Sequence, residues 1–206
     1  MNGVEQTIFD IAEALEIPVL VLAIAALAAV ILEVGSFSIE LFRRRGSRYS
    51  TLSDTTERAC QALTGGDRDA ARIALSVGVA RSAAMEETLQ RMVALTGGER
   101  SEDELAKALA DFDFRSMRRL ERTRLLVRAG PALGLMGTLI PLSPALSGLA
   151  RGDVARLTDN LRVAFSITVL GLLIGAIAFG ISLVRDRLYA QDLSDLEFVT
   201  AILEES

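Results

Sequence analysis

Residues Ala129 to Leu149 read AGPALGLMGTLIPLSPALSGL, twenty-one residues without a charged side chain. A helix crosses a hydrocarbon core of about 30 Å with roughly 20 residues, so this stretch predicts a membrane span. Gly130, Gly134, Gly137, Pro141, Ala145 and Gly148 recur at intervals of three or four, which puts them on one helical face. Small residues on such a face let another backbone approach closely. One hydroxyl, Thr138, sits beside the stripe, and Pro141 and Pro144 each withhold an intrahelical donor in mid-span. Those two prolines are where a bend in the span is expected.

Two more apolar runs flank this one. Residues 163 to 184 predict a third span with its own small-residue stripe, Ala164, Thr168, Gly171, Gly175, Ala178 and Ser182, and matching smooth faces on two spans predict that they pack together. Residues 17 to 34 predict the first span, with Pro18 tolerable in its opening turn and helical periodicity continuing to residue 42. The fold class is therefore all-α, an integral membrane protein with three transmembrane helices. Composition agrees: a mean hydropathy of +0.37 beside 24% charged residues means that apolar and polar segments are separated along the chain.

The same composition removes many functions. Histidine is absent and Cys60 is the single cysteine, which excludes a disulfide framework and argues against a protein-only zinc site, a histidine acid–base catalyst or any resident cofactor. The expectation is a protein that is not an enzyme. A net charge of −5 argues against a nucleic-acid surface.

Charge sets the expected orientation. Residues 1 to 16 form an acidic amphipathic segment with no basic residue, whereas Arg43, Arg44, Arg45 and Arg48 follow the first span. Arg118, Arg119, Arg122, Arg124 and Arg128 precede the second span, and Arg185 and Arg187 follow the third. The connection over 150 to 162 carries only Arg151, Arg156 and Arg162. The positive-inside rule places the N-terminus outside, that connection outside and the C-terminus in the cytoplasm, with the arginine clusters serving as topology anchors. Because no positive region leads the first apolar run, it is read as a retained span in the cytoplasmic (inner) membrane and not as a signal peptide.

Residues 43 to 128 are too long and too rich in alanine, leucine and arginine for a structureless loop, and predict a helical cytoplasmic region. A short echo, Ala-Leu-Thr-Gly-Gly-acid-Arg, occurs at Ala62 to Arg68 and at Ala94 to Arg100. Each copy ends one helix on glycine and opens the next on an acid. From about Ser101 a long amphipathic helix carries Leu105, Leu109, Phe112, Met117, Leu120 and Leu125 toward the second span, either continuing into it or bending at Gly130-Pro131. After residue 184 the chain continues as an acidic helical tail, 185 to 206, with Leu188, Leu196, Val199 and Leu203 on a face suited to self-association.

The stretches GPALGLMGTL at Gly130 to Leu139 and TVLGLLIGAI at Thr168 to Ile177 resemble the paired signature of the MotA/TolQ/ExbB proton-channel family. The order of parts is also similar: a first span, a helical segment with a Gly66-Asp67 turn, an arginine-rich helix entering span two, a third span and a tail. The resemblance implies a homopentamer whose second and third spans line a pore. Two copies of a single-span partner of the ExbD/TolR/MotB kind would occupy it, and an aspartate on that partner would carry the proton. The sequence is consistent with this, since neither span two nor span three has a carboxylate of its own.

Carried over by position, Thr138 and Thr168 resemble the pore threonines, with Ser143, Ser147 and Ser166 as further polar candidates. Gly130, Gly134, Gly137, Gly171 and Gly175 are the helix-packing positions. Glu33, near the inner end of span one, is the one acid close to the membrane interior, and an interfacial pairing with Arg43 to Arg45 suits it better than a proton path. The sequence departs from the family pattern at Val163, where an acid is common, at Pro141, where glycine is usual, and at Ile177, where proline is usual. The function implied is an ion-channel (motor) subunit that couples proton motive force to movement of its partner. The alternative is a non-conducting oligomeric scaffold that presents its cytoplasmic helices to other proteins.

Overall fold

In a computed structural model, which describes residues 3–45, 52–97 and 101–204, the described residues form seven helices. These are α1 (Gly3–Ala14), α2 (Glu16–Arg45), α3 (Leu52–Thr64), α4 (Arg68–Gly78), α5 (Ala83–Leu95), α6 (Ser101–Ala150) and α7 (Val154–Glu204). Among them α2, α6 and α7 are long and apolar enough to cross a membrane, so the chain is a multi-pass membrane protein with three spans.

The span that begins at Ala129 is the second half of one helix: α6 runs for 50 residues through Pro131, Pro141 and Pro144. Of the two courses open at Gly130-Pro131, the helix continues. The connection expected over 150 to 162 is much shorter, because α7 starts at Val154. The chain reverses on Arg151, Gly152 and Asp153, where Gly152 takes a φ of 82°. Asp153 N donates to Gly148 O at 3.0 Å and Gly152 N to Leu149 O at 2.9 Å, closing the last turn of α6.

The chain divides into two compact units. The first comprises Met1–Gly35 and Arg122–Ser182, and its apolar centre is Ala26, Val30, Leu133, Ile174 and Ala178, one or two residues from each span. Around it, large apolar side chains such as Leu32, Leu135 and Val169 are exposed, as lipid-facing positions require.

The second unit comprises Ser36–Glu121 and Leu183–Ser206. It has a water-soluble type of core, in which Ala59, Leu75, Leu89 and Met92 of the short helices meet Leu105 and Phe112 of α6 and Leu196, Val199 and Leu203 of α7. The apolar face of the tail is therefore used within its own chain, which corrects the expectation that it serves self-association. Two members of the predicted α6 face are also corrected: Met117 and Leu125 are 50% and 67% exposed. At 100° per residue they drift off the line through Leu105 and Phe112, and the buried line continues instead through Thr123.

The glycine echo has a conformational cause. Gly66 and Gly97 take φ of 81° and 85°, a region that favours glycine. In the first copy the Asp67 carboxylate then accepts from Ala70 N at 2.9 Å and caps α4. Gly98, Glu99 and Arg100 of the second copy lie outside the described residues. Loss of an N-cap of this kind costs about 1 kcal/mol, so Asp67→Ala should lower stability by about that amount in denaturant titration, while Asp67→Ser should recover most of it.

Candidate functional site

Spans two and three approach through glycine. A Cβ built on Gly171 would lie 2.5 Å from Gly130 O and 2.7 Å from Gly134 Cα, and one on Gly130 would lie 2.6 Å from Gly171 O. At Gly175 it would meet the Pro131 ring at 2.8 Å, and at Gly137 the Ile167 side chain at 2.3 Å. Four of the five predicted packing glycines, Gly130, Gly137, Gly171 and Gly175, thus stand where a larger residue would collide with the facing helix, while a Cβ on Gly134 would make a tight contact with Thr168 O at 3.3 Å. Association of spans relies on this kind of close contact, because lipid tails are as apolar as the helices themselves.

That proximity brings the two threonines to one acceptor. Thr168 Oγ1 donates across the interface to Gly134 O at 3.2 Å, sharing its hydrogen with Ala164 O of its own helix, also at 3.2 Å. Thr138 Oγ1 donates to Leu135 O at 2.8 Å, with Gly134 O at 3.4 Å. Both hydroxyls, each half-buried, therefore sit beside the Gly134 carbonyl. A hydroxyl that donates to backbone keeps lone pairs free to accept. The site is thus a small polar spot in an apolar wall, able to accept a hydrogen bond from a water or a protonated acid but with no group of its own to carry a proton.

The remaining candidates are distributed differently. Ser166 is exposed and donates to Arg162 O at 2.8 Å, away from the threonine pair. The side chains of Ser143 and Ser147 lie outside the described residues. Pro141 is buried and Pro144 half-buried, within a helix that does not break at either. Glu33 is half-buried on α2, and neither threonine hydroxyl bonds to it. Val163 is exposed and Ile177 half-buried.

A second polar feature, in the other unit, was not legible in the sequence. Arg44 holds Asp192 with two bonds, Nη1 to Oδ1 at 2.8 Å and Nη2 to Oδ2 at 2.6 Å, and the side chains are 8% and 1% exposed. Arg185, fully buried, faces Glu40 at 3.4 Å and lies over the Phe37 ring at 5.9 Å. Two arginines read as topology anchors are therefore members of a buried ion network joining the end of α2 to α7. The one local hint was Glu40 four residues before Arg44, a helical pair spacing; the partner acid, 148 positions away, had no sequence signal. Glu40, Tyr189 and Asp192 also border a cavity of about 160 Å³, roomy enough for water.

Asp195, well beyond the apolar run of α7, lies beside this network. Burial raises its carboxyl above the ordinary 3.8, Arg81 opposes the rise and the charge of Asp192 adds to it. Arg81 Nη2 lies 3.1 Å from Asp195 Oδ2, but the angles are not those of a hydrogen bond, so the attraction is chiefly coulombic. A raised value in the folded state means that folding is favoured at pH below the unfolded value and loses that contribution as pH rises through the folded one. Asp195→Asn should therefore flatten the dependence of melting temperature on pH just above 3.8, with little loss of stability at pH 7.

The fold and the paired hydroxyls define a three-span membrane protein whose second and third helices form a close-packed wall with polar spots but no acid. A model of the MotA/TolQ/ExbB proton channel family matches residues 77–197. That is more than half of the chain and includes both threonine-bearing spans, and the protein belongs to this family. Comparison with individual curated proteins gives no match.

Proposed function

We propose that this chain is the pore-forming subunit of a proton-driven motor in the cytoplasmic membrane and is not itself an enzyme. The observation that carries the reading is the convergence of Thr138 and Thr168 on Gly134 O in spans that contain no carboxylate. A wall that can solvate a proton carrier without supplying one calls for a carboxylate from another chain. In this reading five copies surround two copies of a single-span partner of the ExbD/TolR/MotB kind, whose aspartate alternates between charged and neutral beside the threonines. The N-terminus lies outside and the α3–α5 unit in the cytoplasm, as the arginine distribution favours. Each proton crossing 100 mV delivers about 2.3 kcal/mol to the movement.

The test is proton uptake by proteoliposomes containing the complex purified with its native partner, followed with an entrapped pH dye. Thr138→Val with Thr168→Val keeps side-chain shape and removes both hydroxyls. The loss of two hydrogen-bonding groups at about 1 kcal/mol each predicts a fall in flux of roughly tenfold or more, with the complex still assembled. Unchanged flux would leave the scaffold reading as the better account.

A further inference from the structure

The cavity beside the buried ion network has no part in the channel reading, yet two polar atoms of its lining residues, Glu40 Oε1 and Tyr189 Oη, are buried without a hydrogen-bond partner. Its volume of about 160 Å³ compares with the roughly 10–15 Å³ that one water needs. Four helices meet there: Glu40 comes from α2, Ser82 and Ala84 from the N-terminal end of α5, Arg119 from α6 and Tyr189 from α7. Ser82 caps α5 by accepting from Met85 N at 3.2 Å, which leaves its own hydrogen to donate. The amides of the first turn of α5 have no carbonyl within the helix to bond, and the positive end of the helix favours an anion. The acids at the cavity are already neutralised. Asp192 gives both oxygens to Arg44, and Glu40 lies 3.4 Å from Arg185 and 3.6 Å from Arg44. Arg115, also in the wall, is held by Glu87 at 3.2 Å. Arg119 is exposed and has no ion-pair partner among the described residues, so it is the charge left over.

We propose that this cavity binds inorganic phosphate, which accepts hydrogen bonds from Arg119, Tyr189, Ser82 and the first turn of α5 and donates its own O–H to Glu40 Oε1. The Glu40 carboxylate decides the chemistry of the ligand. Its side chain is only 9% exposed, and a buried acceptor left unsatisfied is costly, so the ligand must carry a donor as well as negative charge. Phosphate keeps a proton at neutral pH. Sulfate and the phosphodiester of a lipid headgroup carry none, and either would set a bare anionic oxygen against the carboxylate, where like charges repel. The site therefore separates phosphate from both. The inference is independent of the channel reading and goes beyond it, since it concerns only the unit formed by α3 to α5 with the ends of α2, α6 and α7.

The test is equilibrium dialysis of radiolabelled inorganic phosphate against the full chain, purified with its native partner and held in phosphatidylcholine nanodiscs at neutral pH and constant ionic strength. Saturable binding is expected, with sulfate weaker as a competitor by roughly tenfold or more. Arg119→Ala, an exposed change that breaks no ion pair among the described residues, should weaken phosphate binding by roughly tenfold. Tyr189→Phe keeps the ring and should weaken it by about fivefold, the effect of one neutral hydrogen bond. Glu40→Gln replaces the carboxylate with an amide that can donate, so sulfate should then compete about as well as phosphate. Absence of saturable binding to the wild type overturns the proposal. So does sulfate that competes equally in the wild type, or wild-type affinity in Arg119→Ala.

Discussion

Replacing Gly171 with alanine is expected to destabilise the packed spans by about 3 kcal/mol, the upper part of the range for overpacking, and Gly171→Leu to abolish assembly. The atoms that the new Cβ would meet are Gly130 O at 2.5 Å, Gly134 Cα at 2.7 Å and Gly134 N at 2.8 Å. All three are backbone, so no rotamer change relieves the contact and the two helices must separate. Separation would also lengthen the bond from Thr168 to Gly134 O. Gly137→Ala should also be costly, because its obstacles are Ile167 Cγ2 at 2.3 Å and Cβ at 3.0 Å, on a β-branched side chain that has one favoured rotamer in a helix. Gly180, on the same helix as Gly171 but in open space, is the internal control: alanine there should stabilise by roughly 0.5–1 kcal/mol. Thermal melting in detergent gives the ranking, and equal effects at 171 and 180 would contradict the packing described.

The second large effect is expected at the buried ion network. Asp192→Ala leaves the Arg44 guanidinium, 8% exposed, without its bidentate partner, and breaking a buried pair from one side costs about 3–5 kcal/mol. Arg44→Lys should rescue little of the loss caused by Arg44→Ala, since an ammonium cannot reproduce the two-pronged contact. Combining Arg44→Met with Asp192→Leu removes both desolvation penalties and should be far milder than the sum of the single changes. The double-mutant cycle in denaturant therefore predicts a coupling of several kcal/mol. A single Asp192→Ala variant within about 1 kcal/mol of wild type would show that the pair is solvated.

What the sequence made legible follows from which interactions are local. The three spans could be read because an uncharged run of twenty or so residues has few alternatives, and the packing face of span two because its glycines repeat at helical spacing. The pairing of that face with the stripe around Thr168 was inferred from matching chemistry, and the close approaches at Gly130, Gly134 and Gly171 agree with it. The shared acceptor, Gly134 O, was not legible, because no side-chain pattern marks a carbonyl. Periodicity misplaced Met117 and Leu125, where loosely spaced apolar residues were assigned to one face without following the 100° step. It also gave the tail a partner outside the chain, whereas Leu196, Val199 and Leu203 close the core of the second unit. The Arg44–Asp192 pair lay furthest from reach, since its members are 148 positions apart and an arginine after a span is ordinarily an anchor.

In the proposed function, the acid missing from spans two and three is supplied to Thr138 by another chain. A photoreactive amino acid placed at position 138, activated in native membranes and followed by mass spectrometry of the cross-linked peptide, tests it most directly. The expected result is capture of a single-span protein at a membrane segment containing an aspartate, with the cross-link lost when that segment is deleted. Cross-links confined to lipid or to other copies of this chain would contradict it.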